Sequence, residues 1–580
     1  MNVQPSAETA SPTAARLRSG GEILVAALRG NGIDRIFGVP GESALPVFDA
    51  LLDDGAGVRL IVCRHEATAS HMAEADGKIT GLPGVCIVSR GPGAMHAMVG
   101  LHTAWQDSTP LLLLIGQVPR AYRGREAFQE IDYTSVLGGM TKWVAEVDTA
   151  GQIPEMVARA FAAAMQGRPG PVALALPEDV LSEFSSVSDM ASASVERKSP
   201  SPAQMVEVRA LLQGARRPLV IVGNLGWSKS ASVSFRQFVE DNNLPVVAGF
   251  RSQDVLNNDS AQYIGDLSLG CSRKLVDRVK QADCVLVIGD RLGDVTTQHY
   301  TALDVPVPSA RLIHVFPDAS ELGRVFAPSL GIEADVSRFV EALAEFAPMN
   351  SAVWTEWRAA GREEYLAYQQ ARSHHQKLDL AEIVAHLRDR LPADTIVTNG
   401  AGNYTIWLHR YYRYRQLGTQ LAPKSGSMGY GLPAALAAKL RYPDRTVVCL
   451  AGDGCFMMAS QEFATALREQ LPIIVIVVNN ATYGSIRMHQ EKQFPGRPSG
   501  TALTNPDFAA LARSYGAHGE AIGTHVEFPS ALERAIAAAR PALIELRVDA
   551  RQLTPEDKLF KTYPPEGGVS QAHFVPFHLL

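Results

Sequence analysis

Gly452-Asp453-Gly454 and Asn480, which stands 27 residues beyond Asp453, are the residues whose types and spacing point most directly to chemistry. Glycines at the carboxyl end of a parallel strand let backbone amides approach phosphate oxygens, and an aspartate there offers a hard oxygen to a divalent cation. The run Val447-Val448-Cys449-Leu450 reads as the buried strand that delivers Gly452-Asp453-Gly454-Cys455. Ile473-Ile474-Val475-Ile476-Val477-Val478 reads as the next strand, with Asn479-Asn480-Ala481-Thr482 at its exit. Two neighbouring parallel strands would aim Asp453 and Asn480 into one crevice.

The elements needed to build such a crevice recur along the chain. Short Val/Ile/Leu runs alternate with amphipathic stretches, the pattern of parallel sheets covered by helices on both faces. Residues 1–18 read as a loose arm rich in Ser, Ala, Thr and Pro. The first α/β block spans 19–184, with strands near Leu60-Ile61-Val62, Val85 to Val88, Leu111 to Ile115 and Val172 to Pro177. Residues 185–204 are polar, Ser/Pro-rich and without periodicity, a linker. The second block, 205–347, opens at Pro218 to Gly223 and ends in a helix near Val336 to Phe346. A charged stretch with Trp and Tyr, 348–377, reads as a second linker before the third block, 378–552. For the irregular tail 553–580, a flap over the site and a surface tail are equal readings.

A formal net charge of −6 with 20% charged residues gives no basic field for nucleic acid. The six cysteines, at 63, 86, 271, 284, 449 and 455, form no CxxC pair, which argues against a zinc site or disulfide framework. The amino terminus lacks the apolar run of a secretory signal, and runs such as Leu111 to Ile115 fall far short of the ~20 residues of a membrane span. The expectation is a cytoplasmic protein without membrane or nucleic-acid partners.

The GDG and NN pair resembles the metal and diphosphate motif of thiamine diphosphate enzymes. Arg64-His65-Glu66, His71-Met72-Ala73-Glu74, Ser89-Arg90-Gly91-Pro92-Gly93, Gly116-Gln117-Val118-Pro119 and Ala127-Phe128-Gln129-Glu130 resemble the acetolactate synthase and pyruvate oxidase-like branch of that family. The resemblance implies an α/β fold of three doubly wound parallel-sheet domains: pyrimidine-binding, central and diphosphate-binding. It implies that Glu66 would share a proton with N1′ of the aminopyrimidine, and so promote loss of the C2 proton. By the same likeness Gly402, Asn403, Tyr404, Gly452, Gly454, Cys455 and Gly484 would contact diphosphate. Mg²⁺ would be held by Asp453, Asn480 and the carbonyl of Thr482. Met428 would wedge beneath the coenzyme while the carbonyl of Gly426 accepts from its amino group. The coenzyme would lie between subunits of a homodimer or homotetramer, with Glu66 from one chain and Asp453 from another.

The implied reaction is decarboxylation of a 2-oxo acid followed by transfer of the remaining carbon unit. A proton as acceptor gives an aldehyde, a second carbonyl gives a 2-hydroxy ketone or acetolactate, and an oxidant gives an acyl product. Gln129-Glu130 stands where simple 2-oxo acid decarboxylases carry a His-His pair. Glutamine can orient a carbonyl but donates protons poorly, which favours carboligation. A 2-oxo acid decarboxylase, C–C lyase or acyl transferase is the near alternative, and a non-catalytic coenzyme-binding subunit the distant one. His65, His96, His102 and His489 stand as further proton carriers, each with an ordinary structural or solvated reading.

The chain departs from the family pattern at several places. Pro40-Gly41-Glu42 replaces a PGG turn, and His489 stands where acetolactate synthases place a tryptophan that sorts second substrates. In the middle block, Gly289-Asp290-Arg291-Leu292-Gly293-Asp294 replaces GARFDDR and Phe316-Pro317-Asp318 replaces IDIDP. Arg291 could hold a flavin phosphate, but a surface arginine after a strand is the commoner outcome, so the reading does not favour FAD.

Overall fold

A computed structural model defines residues 16–53, 57–190, 195–349, 351–370 and 377–556. Three six-stranded sheets carry the fold. The first contains β1 (Arg35–Gly38), β2 (Arg59–Val62), β3 (Gly84–Val88), β4 (Leu111–Gln117), β5 (Trp143–Glu146) and β6 (Pro171–Pro177), in the order β2-β1-β3-β4-β6-β5. The second contains β7 (Pro218–Val222), β8 (Val246–Ala248), β9 (Tyr263–Asp266), β10 (Cys284–Ile288), β11 (Arg311–Phe316) and β12 (Leu330–Glu333), in the order β9-β8-β7-β10-β11-β12. The third contains β13 (Ile396–Asn399), β14 (Gln420–Leu421), β15 (Val447–Gly452), β16 (Ile474–Asn479), β17 (His518–Ile522) and β18 (Ala542–Arg547), in the order β14-β13-β15-β16-β18-β17.

Every pairing within these sheets is parallel. Parallel sheets need cover on both faces, and β3, β4, β6, β7 and β10 are accordingly buried along their whole length, with Gln117 at the end of β4 the one polar side chain among them. The first and third sheets share one permutation of strands. In each, the connections reverse direction between two adjacent strands, β1/β3 in the first and β13/β15 in the third, which opens a crevice at their carboxyl ends. Gly452-Asp453-Gly454 leaves β15 at the second of these crevices, and Asn480 leaves the neighbouring β16.

The first and third domains also share a hydrophobic core. The helix Glu66–Thr80, which follows β2, lies against the helix Gly431–Arg441, and Met72, Ala73, Leu432, Ala435, Leu436 and Phe463 are all buried between or beside them. Gly84 permits the close seat of the Glu66–Thr80 helix on its own sheet, because a Cβ there would stand 1.7 Å from the Ala73 carbonyl oxygen. Polar groups buried at this seam are paired. The Tyr430 hydroxyl donates to Glu74 at 2.6 Å, and Lys78 reaches Asp107 at 2.5 Å and Glu74 at 3.1 Å. Arg441 grips Asp76 with two bonds of 2.6 and 2.8 Å, as burying charge requires.

Three segments differ from the sequence reading. The stretch 348–377 contains the helix Thr355–Tyr368, packed on the middle domain. Trp354, at its start, is fully buried and donates its indole N–H to the Ala215 carbonyl at 2.9 Å, and Trp357 donates to Pro218 at 3.0 Å. Trp354, Trp357, Gly361, Tyr365 and Tyr368 recur every three or four residues, so an aromatic face was present among the charges. Replacing Trp354 by alanine is expected to destabilise the protein by about 3–5 kcal/mol, read from the urea midpoint; an unchanged midpoint would show that this helix contributes nothing to the middle domain.

The linker 185–204 ends earlier than its composition suggests. Pro202–Gln213 is a helix whose N-cap Ser201 and third residue Gln204 form a reciprocal capping box. At its other end Phe184–Ser185 pairs antiparallel with Arg18–Ser19, so the last residue of the arm is held against the end of the first domain. Most of the arm, and the tail beyond residue 556 for which a flap and a surface tail are equal readings, lie outside the described residues.

Candidate active site

The third domain collects most of the sequence-selected residues on one patch. Asp453 begins the short helix Asp453–Met457 directly after β15 and is 3% exposed. Its Oδ1 accepts the Gly454 N–H at 2.8 Å and its Oδ2 accepts the Asn505 side-chain amide at 2.8 Å. Burial pushes its carboxyl group above the ordinary aspartate range, opposed by the amides of Gly454, Asn505, Ala481 and Asn480. The influence of the Asn480 and Ala481 amides places Asp453 beside the exit of β16. No cationic side chain pairs with it among the described residues.

The Asn480 side-chain oxygen accepts the Thr482 N–H at 3.1 Å, and Ala481 between them has a left-handed backbone, φ 51°. The Thr482 hydroxyl and the Tyr483 N–H both reach the Thr501 carbonyl at 2.9 Å, which fixes the turn against residues 501–503. Asp453, Asn480 and the carbonyl of Thr482 could supply hard oxygens, the donor type that suits Mg²⁺. Gly454 is required by close approach, since a Cβ there would lie 2.6 Å from the Tyr483 ring.

Two further loops converge on the same place through Tyr404 and Cys455. The Tyr404 hydroxyl accepts the Gly400 N–H at 3.1 Å and lies 3.7 Å from the Cys455 sulfur, which in turn accepts the Gly429 N–H at 3.2 Å. Gly402 and Gly452 flank the Tyr404 ring so closely that a Cβ on either would stand 2.8 or 3.1 Å from it. Asn403 accepts the Ser485 hydroxyl at 2.8 Å, which ties this loop to the helix that opens at Gly484. Gly426 is exposed with φ +70°, and Met428 is half-buried against the third-domain core.

The segment around Gly426 and Met428 is held from the other domains. The His71 ring nitrogen Nε2 lies 3.1 Å from the Ser427 hydroxyl. Burial, with the Lys78 charge beside it, pushes His71 down to about 4, so Ser427 meets a neutral ring. Arg251, from the loop after β8, is fully buried with φ 55° and donates to the carbonyls of Gly400, at 2.9 Å, and Pro423. Asp254 accepts the backbone N–H groups of Gly418, Thr419 and Gln420 at 2.8 to 3.1 Å.

The first domain presents a second group. Glu66 is the first residue of its helix, capped by His65, and its Oε2 lies 2.9 Å from His96 Nδ1. Gln129 has φ 65°, and its carbonyl accepts the N–H of Gly91, the first residue of the Gly91–Asp107 helix that carries His96. Glu66, His96 and Gln129 thus belong to one face of the domain. Behind the Glu66 loop, Glu462 of the third domain accepts the Arg64 N–H at 2.9 Å and the Thr68 hydroxyl.

Asn505, Arg251 and Glu462 were not selected from the sequence. Each lies tens to hundreds of residues from the group it supports, and only the Asn505-Pro506-Asp507 turn carried any local signal. In the middle domain Arg291 pairs with Glu321 at 3.1 Å, and Glu321 also binds Arg168 at 2.8 Å and Arg324 at 3.1 Å. One carboxylate is thus shared among three guanidinium groups, which leaves the cluster with an excess of positive charge.

In chain order, residues 18–136, 205–343 and 400–546 match the N-terminal TPP binding domain, the central domain and the C-terminal TPP binding domain of thiamine pyrophosphate enzymes. The chain belongs to the thiamine pyrophosphate (thiamine diphosphate) enzyme family. Within it, the chain is 32% identical to the acetolactate synthase isozyme 2 large subunit of Escherichia coli (strain K12), over 92% of this chain and 96% of that relative. It is 33% identical to the acetolactate synthase large subunit of Parasynechococcus marenigrum (strain WH8102), over 97% and 91% respectively. These likenesses define an acetolactate synthase-like enzyme that depends on thiamine diphosphate. No helix among the described residues is long and apolar enough to cross a membrane.

Proposed function

We propose that this enzyme decarboxylates a 2-oxo acid and ligates the remaining carbon unit to a second carbonyl, using thiamine diphosphate and Mg²⁺ at sites shared between subunits. The observation that carries this reading is the convergence of Asp453 and Asn480 at adjacent strand exits, with a buried carboxylate that lacks a cationic partner. Bound thiamine diphosphate supplies a carbon nucleophile and an electron sink for the decarboxylation.

The chain's own residues do the rest. Asp453, Asn480 and the Thr482 carbonyl hold Mg²⁺, which offsets the diphosphate charge. Gly402, Asn403, Tyr404, Gly452, Gly454, Cys455 and Gly484 shape the loops around the diphosphate, and backbone N–H groups at the start of Asp453–Met457 face anionic oxygen. Gly426 supplies a carbonyl, and Met428 an apolar support, to the bent coenzyme. Glu66 exchanges a proton with the aminopyrimidine. Gln129 orients a bound carbonyl through its side-chain amide and leaves the second carbonyl to compete with water for the carbon unit.

Two observations support sharing of sites between chains. Glu66 has no hydrogen bond or ion pair with the third domain of its own chain among the described residues. Large apolar side chains are exposed beside both halves, Phe128 at 73% on the first and Met457, Met458 and Ile486 on the third, as expected of surfaces awaiting a second copy. A dimer, or a tetramer built from two dimers, satisfies this requirement equally.

Incubation of the holoenzyme with a panel of 2-oxo acids, with products identified by mass, tests the reading: ligated 2-hydroxy ketone or acetohydroxy acid is expected, and aldehyde or acyl product alone would transfer the chain to the decarboxylase or acyl-transferase alternative. Gln129→His is expected to raise the aldehyde-to-ligated product ratio several-fold, since an imidazole donates a proton where the amide does not. An unaltered ratio would remove position 129 from control of the product.

A further inference from the structure

Glu66 has only one carboxylate oxygen engaged. Its Oε2 lies 2.9 Å from His96 Nδ1, whereas Oε1 has no hydrogen-bond partner among the described residues. Oε1 lies over the start of the Gly91–Asp107 helix, 3.5 Å from where a Cβ on Gly93 would stand. His96 is one turn further along that helix, with its side chain about half exposed. Its ring stacks on His65, with centroids 4.6 Å apart and planes at 29°.

His65 is itself fixed, because its Nδ1 accepts the Ala67 N–H as the cap of the Glu66–Thr80 helix. A neutral imidazole that accepts at Nδ1 carries its proton on Nε2. One candidate ligand atom from each of His65, Glu66 and His96 falls within 4.8 Å of the others. A metal ion there would have to take a His65 nitrogen that is either the helix cap or the protonated one, so the cluster is built as a hydrogen-bonded support. Cys86, whose sulfur feels the Glu66 charge, stays a thiol: burial first, and then that charge, push it well up.

Building on the proposed role of Glu66, we infer that His96 is its positioning residue: Nδ1–H donates to Oε2, holds the carboxylate in one rotamer, and leaves Oε1 as the oxygen that shares the coenzyme proton. With Glu66 ionised, the bond requires a proton on Nδ1. An unsupported glutamate at a helix start samples several rotamers, and selecting one of them before the coenzyme arrives is what orientation-dependent proton transfer demands. The stack on His65 limits the movement of the His96 ring, so the chain of support runs from the helix cap to the carboxylate.

The test uses the full-length holoenzyme with Mg²⁺ and compares C2–H exchange of bound thiamine diphosphate with coenzyme affinity. His96→Ala is expected to slow exchange by about 10- to 100-fold while affinity stays within about threefold. His96→Asn, which presents an N–H at similar reach, is expected to recover most of the rate. A wild-type exchange rate in His96→Ala would overturn the inference, as would an Asn variant as slow as the Ala variant. A Glu66→Gln arm separates the two claims. If that variant exchanges normally, the role of Glu66 itself fails; if it is slow while His96→Ala is normal, only the role of His96 fails.

Discussion

Asp453→Ala is expected to lower Mg²⁺-dependent thiamine diphosphate affinity by more than about 100-fold, measured by titration calorimetry at saturating Mg²⁺. The remaining donors, Asn480 and the Thr482 carbonyl, are neutral and leave the cation's charge facing the diphosphate without the one anionic protein ligand. The apo protein gives an independent check. Asp453 is buried, is served by amides alone, and has its carboxyl group pushed up by that burial, so its charge opposes folding until a cation arrives. Asp453→Asn is therefore expected to melt at the same or a higher temperature than the unmodified apo protein, and to lose the stabilisation that coenzyme and Mg²⁺ confer together. Normal coenzyme affinity in the alanine variant would move the metal site elsewhere.

Glu66→Gln is expected to slow C2–H exchange of the bound coenzyme by about 10² to 10⁴-fold and to leave coenzyme binding largely intact. The two effects separate because Glu66 stands apart from the Asp453 crevice on another domain, and its carboxylate meets His96 rather than a group that holds diphosphate. Glutamine keeps the size of the side chain and a carbonyl oxygen but cannot take up a proton. Unchanged exchange would remove Glu66 from the chemistry, and a parallel loss of affinity would recast it as a binding group.

Much of this arrangement is legible in the sequence because it is local. Continuous apolar runs of four to seven residues leave few alternatives to buried parallel strands, and β3, β4, β15 and β16 lie where those runs fall. Asp453 and Asn480 can be read because each immediately follows its strand, so adjacency of two strands brings them together. The sequence is less explicit where a helix is amphipathic through aromatic rather than aliphatic residues. In Thr355–Tyr368, charged residues dilute the signal of Trp357, Tyr365 and Tyr368, and the stretch resembles a linker until its face is seen against the middle domain.

Support from a distance is the other blind spot. Arg251 braces Gly400 and Pro423 from a different domain, and Asn505 reaches Asp453 from 52 residues away. No spacing rule links such pairs, because the Arg251 contacts depend on how domains dock and the Asn505 contact on how distant loops of one domain come together. His96 illustrates the intermediate case. A histidine on a helix face has many uses, and only the Nδ1 to Oε2 distance singles out one of them.

One coenzyme is expected to be served by Glu66 of one chain and by Asp453 and Asn480 of another. Co-expression of Glu66→Gln and Asp453→Ala chains tests this most directly, because each variant alone has no intact site in either arrangement. If sites are shared between chains, each mixed dimer holds one site with both native groups, and random assembly is expected to return about a quarter of wild-type activity. If both groups serve a site within one chain, the mixture stays as inactive as its parents, which would contradict the account.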